Sequence, residues 1–270
     1  MKKLETLNFR KGSQDDQIVY KELVIDDMYQ FKYLRKLTNI YENWVCIDGG
    51  GHIGIFSLLL AESVNGKIYT YEPNPDSYHR CKENTKEYKN ITVLQQGIDY
   101  KDDYIKLYPP VNLKETGTWS MVPTEKHNKE KPIYVKTVNI IDFISDARQE
   151  GNNILLKLDL EGYEAAVIDN MQDDHLRMIK ILILEEHGCP INHDRLNKIG
   201  FYNLYHPLGS SRHFVYFNAY GENELVKELL EIKRDLSDKY YSDKINYIKK
   251  MSRITTSRLL KGLINKFIKR

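Results

Sequence analysis

Residues 44–56, which read WVCIDGGGHIGIF, decide the fold of this chain. A short apolar run ends in Asp48, three glycines follow, and a second apolar segment begins at Ile55 without a turn signal. This order predicts a β-strand, a tight glycine turn and a helix. Glycines accept backbone angles that side chains forbid, and they let a ligand approach main-chain N–H groups at a helix start. The carboxylate of Asp48 would repel a pyrophosphate and suits a ligand that carries positive charge.

The composition indicates a folded protein of a reducing compartment. The chain has 270 residues, 41% of them hydrophobic, and a net charge of +2. No apolar run approaches the ~20 residues of a membrane-spanning helix, and the first residues lack the apolar core of a secretory signal. The three cysteines, Cys46, Cys81 and Cys189, lack CxxC spacing. We therefore expect a cytoplasmic protein.

The pattern of the chain predicts one α/β domain with appendages. We expect an N-terminal cap segment at residues 1–43, the main domain at 44–221 with a small β insertion at about 100–138, and a helical tail at 222–270. In the main domain strands alternate with helices and a final hairpin follows. This rhythm predicts a Rossmann-like sheet that is mostly parallel and has an antiparallel final strand.

Four local predictions can be compared with the structure. Ser13 is expected to cap a helix that is followed by a short strand or extended piece. ITVLQQGID, residues 91–99, is predicted to be the third strand and to end near Gln96-Gly97, and the insertion is predicted to contain short antiparallel strands, one of them TGTWSM. NILLKLDLEG is predicted to be the fourth main strand, with Lys157, Asp159 and Glu161 on one face.

The glycine turn predicts a binding site for a nucleotide-type ligand. Gly49, Gly51 and Gly54 fit GxGxxG, and Glu72 follows the next strand, where an acid that binds ribose is expected. This pattern alone fits NAD(P) as well as S-adenosylmethionine. S-adenosylmethionine is favoured by the acid before the glycines, by the Pro-Asn-Pro turn at residues 73–75, and by the closing hairpin. Glu72 is expected to accept hydrogen bonds from both ribose hydroxyls.

Four segments together resemble the FkbM-type S-adenosylmethionine-dependent methyltransferases: IDGGGHIGIF, YTYEPNPDSY, ITVLQQGI and LLKLDLEGYEAAV. The resemblance runs from about residue 12 to residue 216, and the KxDxEGxE pattern of LKLDLEGYE is its most specific piece. It implies a class I methyltransferase fold with strand order 3-2-1-4-5-7-6. It also implies O-methylation, commonly of sugar hydroxyls or polyketide-type small molecules.

The resemblance assigns the cofactor residues position by position. Asp48, Gly50 and Gly54 match the first cofactor motif, Glu72 and Asn74 match the second, and Gln96-Gly97 falls where the adenine edge would be met. Together with the glycine pattern, the predicted cofactor-binding set is Asp48, Gly49, Gly50, Gly51, Gly54, Glu72, Pro73, Asn74, Gln96 and Gly97.

Four ionisable groups are expected to meet where the chemistry takes place. Asp159 and Glu161 end the fourth strand, and Glu185 and His187 end the next strand of the predicted sheet. Ligands bind at the carboxyl ends of such parallel strands. Methyl transfer to a hydroxyl requires alignment of the acceptor oxygen and removal of its proton.

Three roles for these groups remain open. His187 or Asp159 is the predicted base, and Glu185 would raise the pKa of His187. His187 is equally well explained as a hydrogen-bonded structural residue. Asp159, Glu161 and His187 are alternatively a weak site for a divalent cation that lowers the pKa of the alcohol; no other metal site is predicted.

The charge distribution sets the tail apart. Residues 233–270 carry a net charge of +9, which leaves −7 for the rest of the chain. An apolar stripe runs along its last helix: Leu259, Leu260, Leu263, Ile264, Phe267 and Ile268. We expect either peripheral contact with the inner face of an anionic membrane or self-association. No nucleic-acid partner is predicted, because no basic-aromatic groove accompanies the charge.

These observations predict a cytoplasmic S-adenosylmethionine-dependent O-methyltransferase. Its expected acceptor is a small molecule or glycan, namely a hydroxyl of a carbohydrate or glycolipid intermediate in polysaccharide biosynthesis or of a related natural product. Two alternatives remain: an NAD(P)-dependent oxidoreductase on a Rossmann sheet, and a cofactor-binding module without catalytic activity.

Overall fold

The computed structural model describes residues 7–112, 117–203 and 213–220, together with three helical positions at 234, 238 and 242. Within the three ranges the α-helices are α1 (Gln14–Tyr20), α2 (Phe31–Thr38), α3 (Ile55–Ser63), α4 (Pro75–Thr85), α5 (Ile140–Gln149), α6 (Glu164–Asn170), α7 (Asp173–Arg177) and α8 (His193–Lys198). The strands are β1 (Trp44–Gly49), β2 (Gly66–Tyr71), β3 (Ile91–Leu94), β4 (Gly97–Asp99), β5 (Tyr104–Leu107), β6 (Ile133–Asn139), β7 (Asn153–Leu158), β8 (Ile179–Glu185), β9 (Phe201–Asn203) and β10 (His213–Asn218).

Seven strands form the main sheet, in the order β3-β2-β1-β7-β8-β10-β9. The first five are parallel, and β10 runs antiparallel to both of its neighbours. Counted within this sheet alone, the order is 3-2-1-4-5-7-6. The predicted fold class and strand order are therefore confirmed. The register pairs Asp48 with Thr70 on one side and with Lys157 on the other.

The sheet separates two apolar cores because successive side chains of a strand point to opposite faces. One core contains residues of α2 and α3 and the strand residues Cys46, Leu155, Ile183 and Phe217. The other contains residues of α5 and α6 and the strand residues Ile47, Leu156, Leu184 and Tyr216. Helices on both faces are what a parallel sheet requires, since its strands are apolar on both sides. This covering leaves the carboxyl ends of the strands for a site.

The predicted N-cap of α1 is confirmed, because the Ser13 hydroxyl accepts the N–H of Asp16 at 3.2 Å. The extended piece predicted after it is wrong. A π-helical turn, Lys21–Ile25, continues α1, and left-handed backbone at Asp27 and Gln30 leads into α2. The Asp27 carboxylate accepts the N–H of Phe31 at 2.7 Å and so favours this helix start.

The third strand is confirmed, but its predicted end near Gln96-Gly97 is wrong. The strand β3 ends at Leu94, and β4 begins at Gly97 in a separate sheet of order β4-β6-β5. In this small sheet β4 is parallel to β6, and β5 is antiparallel to β6. The segment TGTWSM contributes an isolated bridge between Ser120 and Tyr108 instead of a strand.

The fourth main strand is confirmed in position, but it ends at Leu158. Asp159 and Glu161 therefore lie in the loop that follows β7.

The predicted tail, residues 222–270, lies outside the described residues except for its three helical positions. The predictions of membrane contact and self-association through 233–270, and the division of the chain at residues 43 and 221, stay predictions. Among the helices of the described ranges, none has the length and apolar character needed to cross a membrane.

Candidate functional site

The glycine turn after β1 packs tightly against the neighbouring strand ends. Gly50 has φ +78°, and a Cβ placed there would lie 1.9 Å from the carbonyl oxygen of Asp159. A Cβ at Gly51 would lie 2.2 Å from Thr70 Cγ2. The N–H groups of both glycines donate to the carbonyl oxygen of Tyr71, at 3.0 and 3.1 Å. Gly50 is therefore required by the approach of the Asp159 backbone and Gly51 by the approach of the Thr70 side chain, and the N–H groups of both glycines are already used.

Glu72 follows β2 and is held in one orientation by main-chain groups. One carboxylate oxygen accepts the N–H of His52 at 2.7 Å, and the other accepts the N–H of Asn74 at 2.8 Å. Burial raises the pKa of Glu72 to about 7, although these two hydrogen bonds oppose the change. Asn74 in turn caps α4, because its side-chain oxygen accepts the N–H of Asp76 at 2.9 Å.

A first cavity of about 100 Å³ lies beside Glu72. Five of the predicted cofactor residues line it: Gly50, Glu72, Pro73, Asn74 and Gly97. Its other walls include Ile98, Trp119 and Met121, so one side is apolar and aromatic. A second cavity of about 50 Å³ is lined by Gly50 and Gly51 and by residues such as Phe56 and Lys157. Both cavities share Gly50, His52 and Asp159.

Asp48 lies beneath the glycine turn and does not line these cavities. It is fully buried, one carboxylate oxygen accepts the Ser57 hydroxyl at 2.6 Å, and the other lies 3.3 Å from the ammonium of Lys157. Lys157 also donates to the carbonyl oxygens of Gly49 and Gly50, at 3.2 and 3.0 Å. Asp48 thus fixes the turn through Lys157.

Three other predicted cofactor residues, Gly49, Gly54 and Gln96, also do not line these two cavities. Gly49 closes against the side chain of Ile98, which would be 2.7 Å from an added Cβ. Gly54 begins α3 with φ +91° and packs against Cys81. The packing of the turn explains the positions of Gly49 and Gly54.

The four ionisable groups predicted to converge do so, around His187. Its Nε2 lies 3.4 Å from Glu185, 3.9 Å from Glu161 and 4.0 Å from Asp159. Its Nδ1 lies 3.0 Å from a carboxylate oxygen of Glu164, which is fully buried at the start of α6. We call these five residues the acid–histidine cluster. Glu164 was not among the predicted site residues, although it belongs to the KxDxEGxE pattern.

The acid–histidine cluster holds His187 as a cation. Burial by itself lowers the pKa of His187, but the hydrogen bonds to Glu164 and Glu185 and the nearby carboxylates outweigh it and raise the pKa to about 11. The pKa of Glu185 is lowered in spite of burial, because His187 and His213 both contact it. A protonated imidazole has no lone pair with which to accept a proton. This arrangement disfavours the prediction of His187 as the base.

Glu161, unlike His187, has a pKa close to the pH range in which a general base works. Burial, and then the charge of Asp159, raises the pKa of Glu161 to about 8. Its backbone is left-handed, with φ +53°, and its carbonyl oxygen accepts the Ser120 hydroxyl of the insertion at 2.6 Å. Strained non-glycine backbone of this kind clusters at functional sites. Asp159 instead pairs with Lys157 at 3.2 Å.

The geometry also brings together the three residues of the predicted cation site. Ligand atoms of Asp159, Glu161 and His187 all lie within 4.8 Å of one another. A histidine binds a metal through a neutral ring nitrogen, however, and His187 is protonated between two carboxylates. The predicted site therefore has the right spacing but an unfavourable donor set.

A large cavity of about 680 Å³ adjoins the acid–histidine cluster. Its walls come from α1 and the turn that continues it (Asp15, Ile18, Glu22), from the insertion (117–118 and 124–127) and from the cluster. Asp159 borders all three cavities, and Glu161 borders the first and the large one. The sequence predicted the cluster but assigned no site role to α1.

Buried polar contacts hold α1 over the site. The side chain of Arg10 contacts Asp16 in α1 and both Asp76 and Ser77 in α4. Asp15 accepts the N–H of Gly117 at 2.9 Å, which joins α1 to the insertion. No motif signalled these contacts, because Arg10 and Ser77 are 67 positions apart in the chain.

The known proteins that this chain resembles are methyltransferases. Residues 48–240 match the family described as Methyltransferase FkbM domain. The methyltransferase sdnD of Sordaria araneosa is 24% identical over 199 residues, which cover 63% of this chain and 74% of that protein. The hexuronic acid methyltransferase AglP of Haloferax volcanii is 25% identical over 153 residues, which cover 56% of this chain and 59% of AglP.

Solved structures to which the chain is similar include M. capricolum TrmK in complex with S-adenosyl-homocysteine. It is 12% identical, with a TM-score of 0.36 over 89% of this chain and 96% of that chain. An S-adenosylmethionine-dependent methyltransferase from Aquifex aeolicus is also 12% identical, with a TM-score of 0.35 over 73% of this chain and 92% of that chain. The fold assignment rests on the strand order itself.

Proposed function

Because this chain belongs to the FkbM methyltransferase family, we propose that it transfers the methyl group of S-adenosylmethionine to a hydroxyl of a sugar or glycan intermediate. Its class, an S-adenosylmethionine-dependent methyltransferase, is the one predicted, and the oxidoreductase alternative falls away. The observation that carries the finer proposal is the position of Asp159 and Glu161. Both border the first cavity and the large cavity at once.

The first two cavities are the proposed cofactor site because of the residues that line them. The Glu72 carboxylate faces the first cavity with both oxygens fixed by N–H groups, so its remaining lone pairs are available to the two ribose hydroxyls. Nδ1 of His52, at the wall of both cavities, is buried without a hydrogen-bond partner in the described part of the chain. When bound, S-adenosylmethionine supplies an activated methyl group, and the chain supplies alignment and proton removal.

Glu161 is the proposed general base. A carboxylate with a pKa of about 8 is well matched to removing a proton near neutral pH. His187 is proposed to orient Glu161 and Glu185 as a fixed cation, and Asp159 to position the acceptor hydroxyl. Of the two bases predicted from sequence, His187 is held protonated and Asp159 is paired with Lys157.

A sugar is the proposed acceptor class. The large cavity, at about 680 Å³, falls within the ~300–1,000 Å³ of typical small-molecule sites. The relative AglP is named for hexuronic acid methylation, which supports a carbohydrate without identifying it. The same cavity size would also accept a polyketide-type alcohol.

Two measurements test the proposal. Calorimetric titration should show binding of S-adenosylhomocysteine and no binding of NAD, and an acceptor panel should show formation of S-adenosylhomocysteine with sugar hydroxyls. The matched variants are Glu161→Gln, expected to lose turnover, and Glu130→Gln, an exposed acid of the insertion that is expected to retain it. Tight cofactor binding with methyl transfer only to nitrogen or carbon acceptors would contradict the proposed reaction.

A further inference from the structure

The loop after β7 places Glu161 in a backbone conformation that a side chain disfavours. Glu161 has φ +53°, and Gly162, the next residue, has φ +103°. A left-handed residue that carries a side chain crowds its own backbone, so it persists only where neighbouring groups hold it. A change of φ would swing the Cα–Cβ bond of Glu161 relative to the flanking chain. The contacts that hold this loop therefore decide where the carboxylate lies.

Glu164 holds the loop from one side. Its carboxylate accepts the N–H of Leu160 at 2.6 Å and the N–H of Gly162 at 3.1 Å. Glu164 is fully buried at the start of α6, so the surrounding packing fixes its position. The N–H end of the peptide group between Glu161 and Gly162 is thus bound by a buried side chain.

Ser120 of the insertion holds the other end of the same peptide group. Its hydroxyl lies 2.6 Å from the carbonyl oxygen of Glu161 and 3.1 Å from that of Val122. A hydroxyl has one hydrogen, and the shorter distance indicates that Ser120 donates it to Glu161. The N–H of Val122 donates to the Ser120 hydroxyl at 2.9 Å and occupies one of its lone pairs. Buried side chains therefore bind both ends of this peptide group.

Main-chain pairing fixes the position of Ser120 itself. Its N–H donates to the carbonyl oxygen of Tyr108 at 3.2 Å, and its carbonyl oxygen accepts the N–H of Tyr108 at 2.9 Å. Ser120 is 1% exposed and borders neither the first two cavities nor the large cavity. An effect of its hydroxyl on the reaction would therefore pass through the groups that the hydroxyl binds.

We infer that Ser120 is a positioning residue, which holds Glu161 in the left-handed conformation that directs its carboxylate to the border of the first and large cavities. This inference rests on the proposed function, in which Glu161 is the general base. Displacement of a reacting group by about 1 Å can cost ~100-fold in rate. The hydrogen bond from Ser120 is therefore expected to affect the turnover number and not the affinity for the cofactor.

The first test removes the hydroxyl. In the Ser120→Ala variant we expect the turnover number to fall ~10- to 100-fold and the dissociation constant of S-adenosylhomocysteine to change less than ~2-fold. The matched control is Ser145→Ala, which removes a half-buried hydroxyl that donates to the carbonyl oxygen of Ile141 on α5. The control should leave both values unchanged. Turnover by Ser120→Ala within ~2-fold of the natural protein would overturn the inference.

A double-mutant cycle shows whether Ser120 acts through Glu161. Because Glu161→Gln removes the proposed base, the addition of Ser120→Ala should lower the residual turnover less than ~2-fold further. A merely structural effect of Ser120 would lower turnover by the same factor in both backgrounds, and this outcome would overturn the inference. Ser120→Cys keeps only a weak S–H donor and supplies the same cycle if the alanine variant does not fold.

The backbone of residue 161 gives a readout that needs no acceptor. In a crystal structure of Ser120→Ala we expect the φ angle of Glu161 to become negative, and an angle that stays near +53° would contradict the inference. If the angle changes but the natural protein methylates no sugar hydroxyl, the role of Ser120 in holding Glu161 stands and the proposed reaction fails. If Glu161→Gln loses turnover and Ser120→Ala retains it, the proposed base stands and the positioning role fails.

Discussion

On one side of the cleft Glu72 is held by two main-chain N–H groups, whereas on the other side His187 is held by side-chain carboxylates. The Glu72 side is built from β1, β2 and the turns that follow them. The His187 side is built from loops after β7 and β8, and its cavity is completed by α1 and the insertion. Main-chain contacts tolerate changes of side chain, so the first side suits a constant ligand. The second side can change its acceptor by changing side chains.

Lys157 joins the two sides, and its loss should have the largest effect. It contacts Asp48 beneath the glycine turn and Asp159 in the cluster. Lys157→Met leaves Asp48 buried without its cation and should lower the free energy of unfolding by about 3–5 kcal/mol. Chemical denaturation measures this, with the exposed Lys136→Met as control. A loss below about 1 kcal/mol would mean that the two sides are not coupled through Lys157.

The Glu161→Gln substitution should impair turnover without weakening cofactor binding. It removes the proposed base, so the turnover number should fall at least ~100-fold. The dissociation constant of S-adenosylhomocysteine should change less than ~2-fold, because the Glu72 side is intact. Turnover and calorimetry are measured on the same preparation, with Glu130→Gln as control. Unchanged turnover would rule out Glu161 as the base.

Glu72→Gln should have the opposite profile. It replaces a charged acceptor of the ribose hydroxyls by a neutral amide, so affinity for S-adenosylhomocysteine should fall about 10- to 30-fold. The turnover number at saturating cofactor should change less than ~3-fold. The matched control is Glu83→Gln, an exposed acid on α4. A fall in turnover with unchanged affinity would mean that Glu72 acts in the reaction and not in cofactor binding.

The difference in stability between the Glu161→Gln variant and the natural protein should depend on pH. Burial raises the pKa of Glu161 from its usual value of 4.5 to about 8 in the folded chain, so the folded state binds this proton more tightly than the unfolded state does. Its contribution to stability is greatest below pH 4.5 and is lost as the pH rises to about 8. The free energy of unfolding of the variant, relative to the natural protein, should therefore rise by about 4 kcal/mol between pH 5 and pH 9. A difference that falls over this range would refute the raised pKa.

Chelation should have the smallest effect. With His187 protonated, the site formed by Asp159, Glu161 and His187 is a poor cation site, and EDTA should change turnover by less than ~2-fold. Loss of turnover on chelation, restored by Mg²⁺, would show that the cluster works as the cation site that the sequence also suggested.

Patterns with a short period were recognised correctly. The strand–glycine–helix unit, the order of the main strands along the chain and the N-cap at Ser13 all follow from local rules. The convergence of Asp159 and Glu161 with Glu185 and His187 could also be predicted, because parallel strands place their carboxyl ends on one edge. The ends of the strands were harder to predict: β7 ends at Leu158, one residue before Asp159.

Contacts between distant segments were not recognised. The glycine pattern suggested a ligand at Asp48, but in the fold this residue lies under the turn, paired with a lysine 109 positions later. The departure of β4 from the main sheet depends on β6, which lies some 40 residues away. Neither pairing has a signature in local sequence.

Local sequence was sufficient for the fold class, the cofactor type and the edge of the sheet where the acid–histidine cluster lies, because hydrophobic period and turn residues act over a few positions. The tertiary structure decided which acid has a pKa of about 8 and which histidine is held as a cation. A pKa and a potential depend on burial and on every charge within several ångströms. Those neighbours come from segments that only the folded chain brings together.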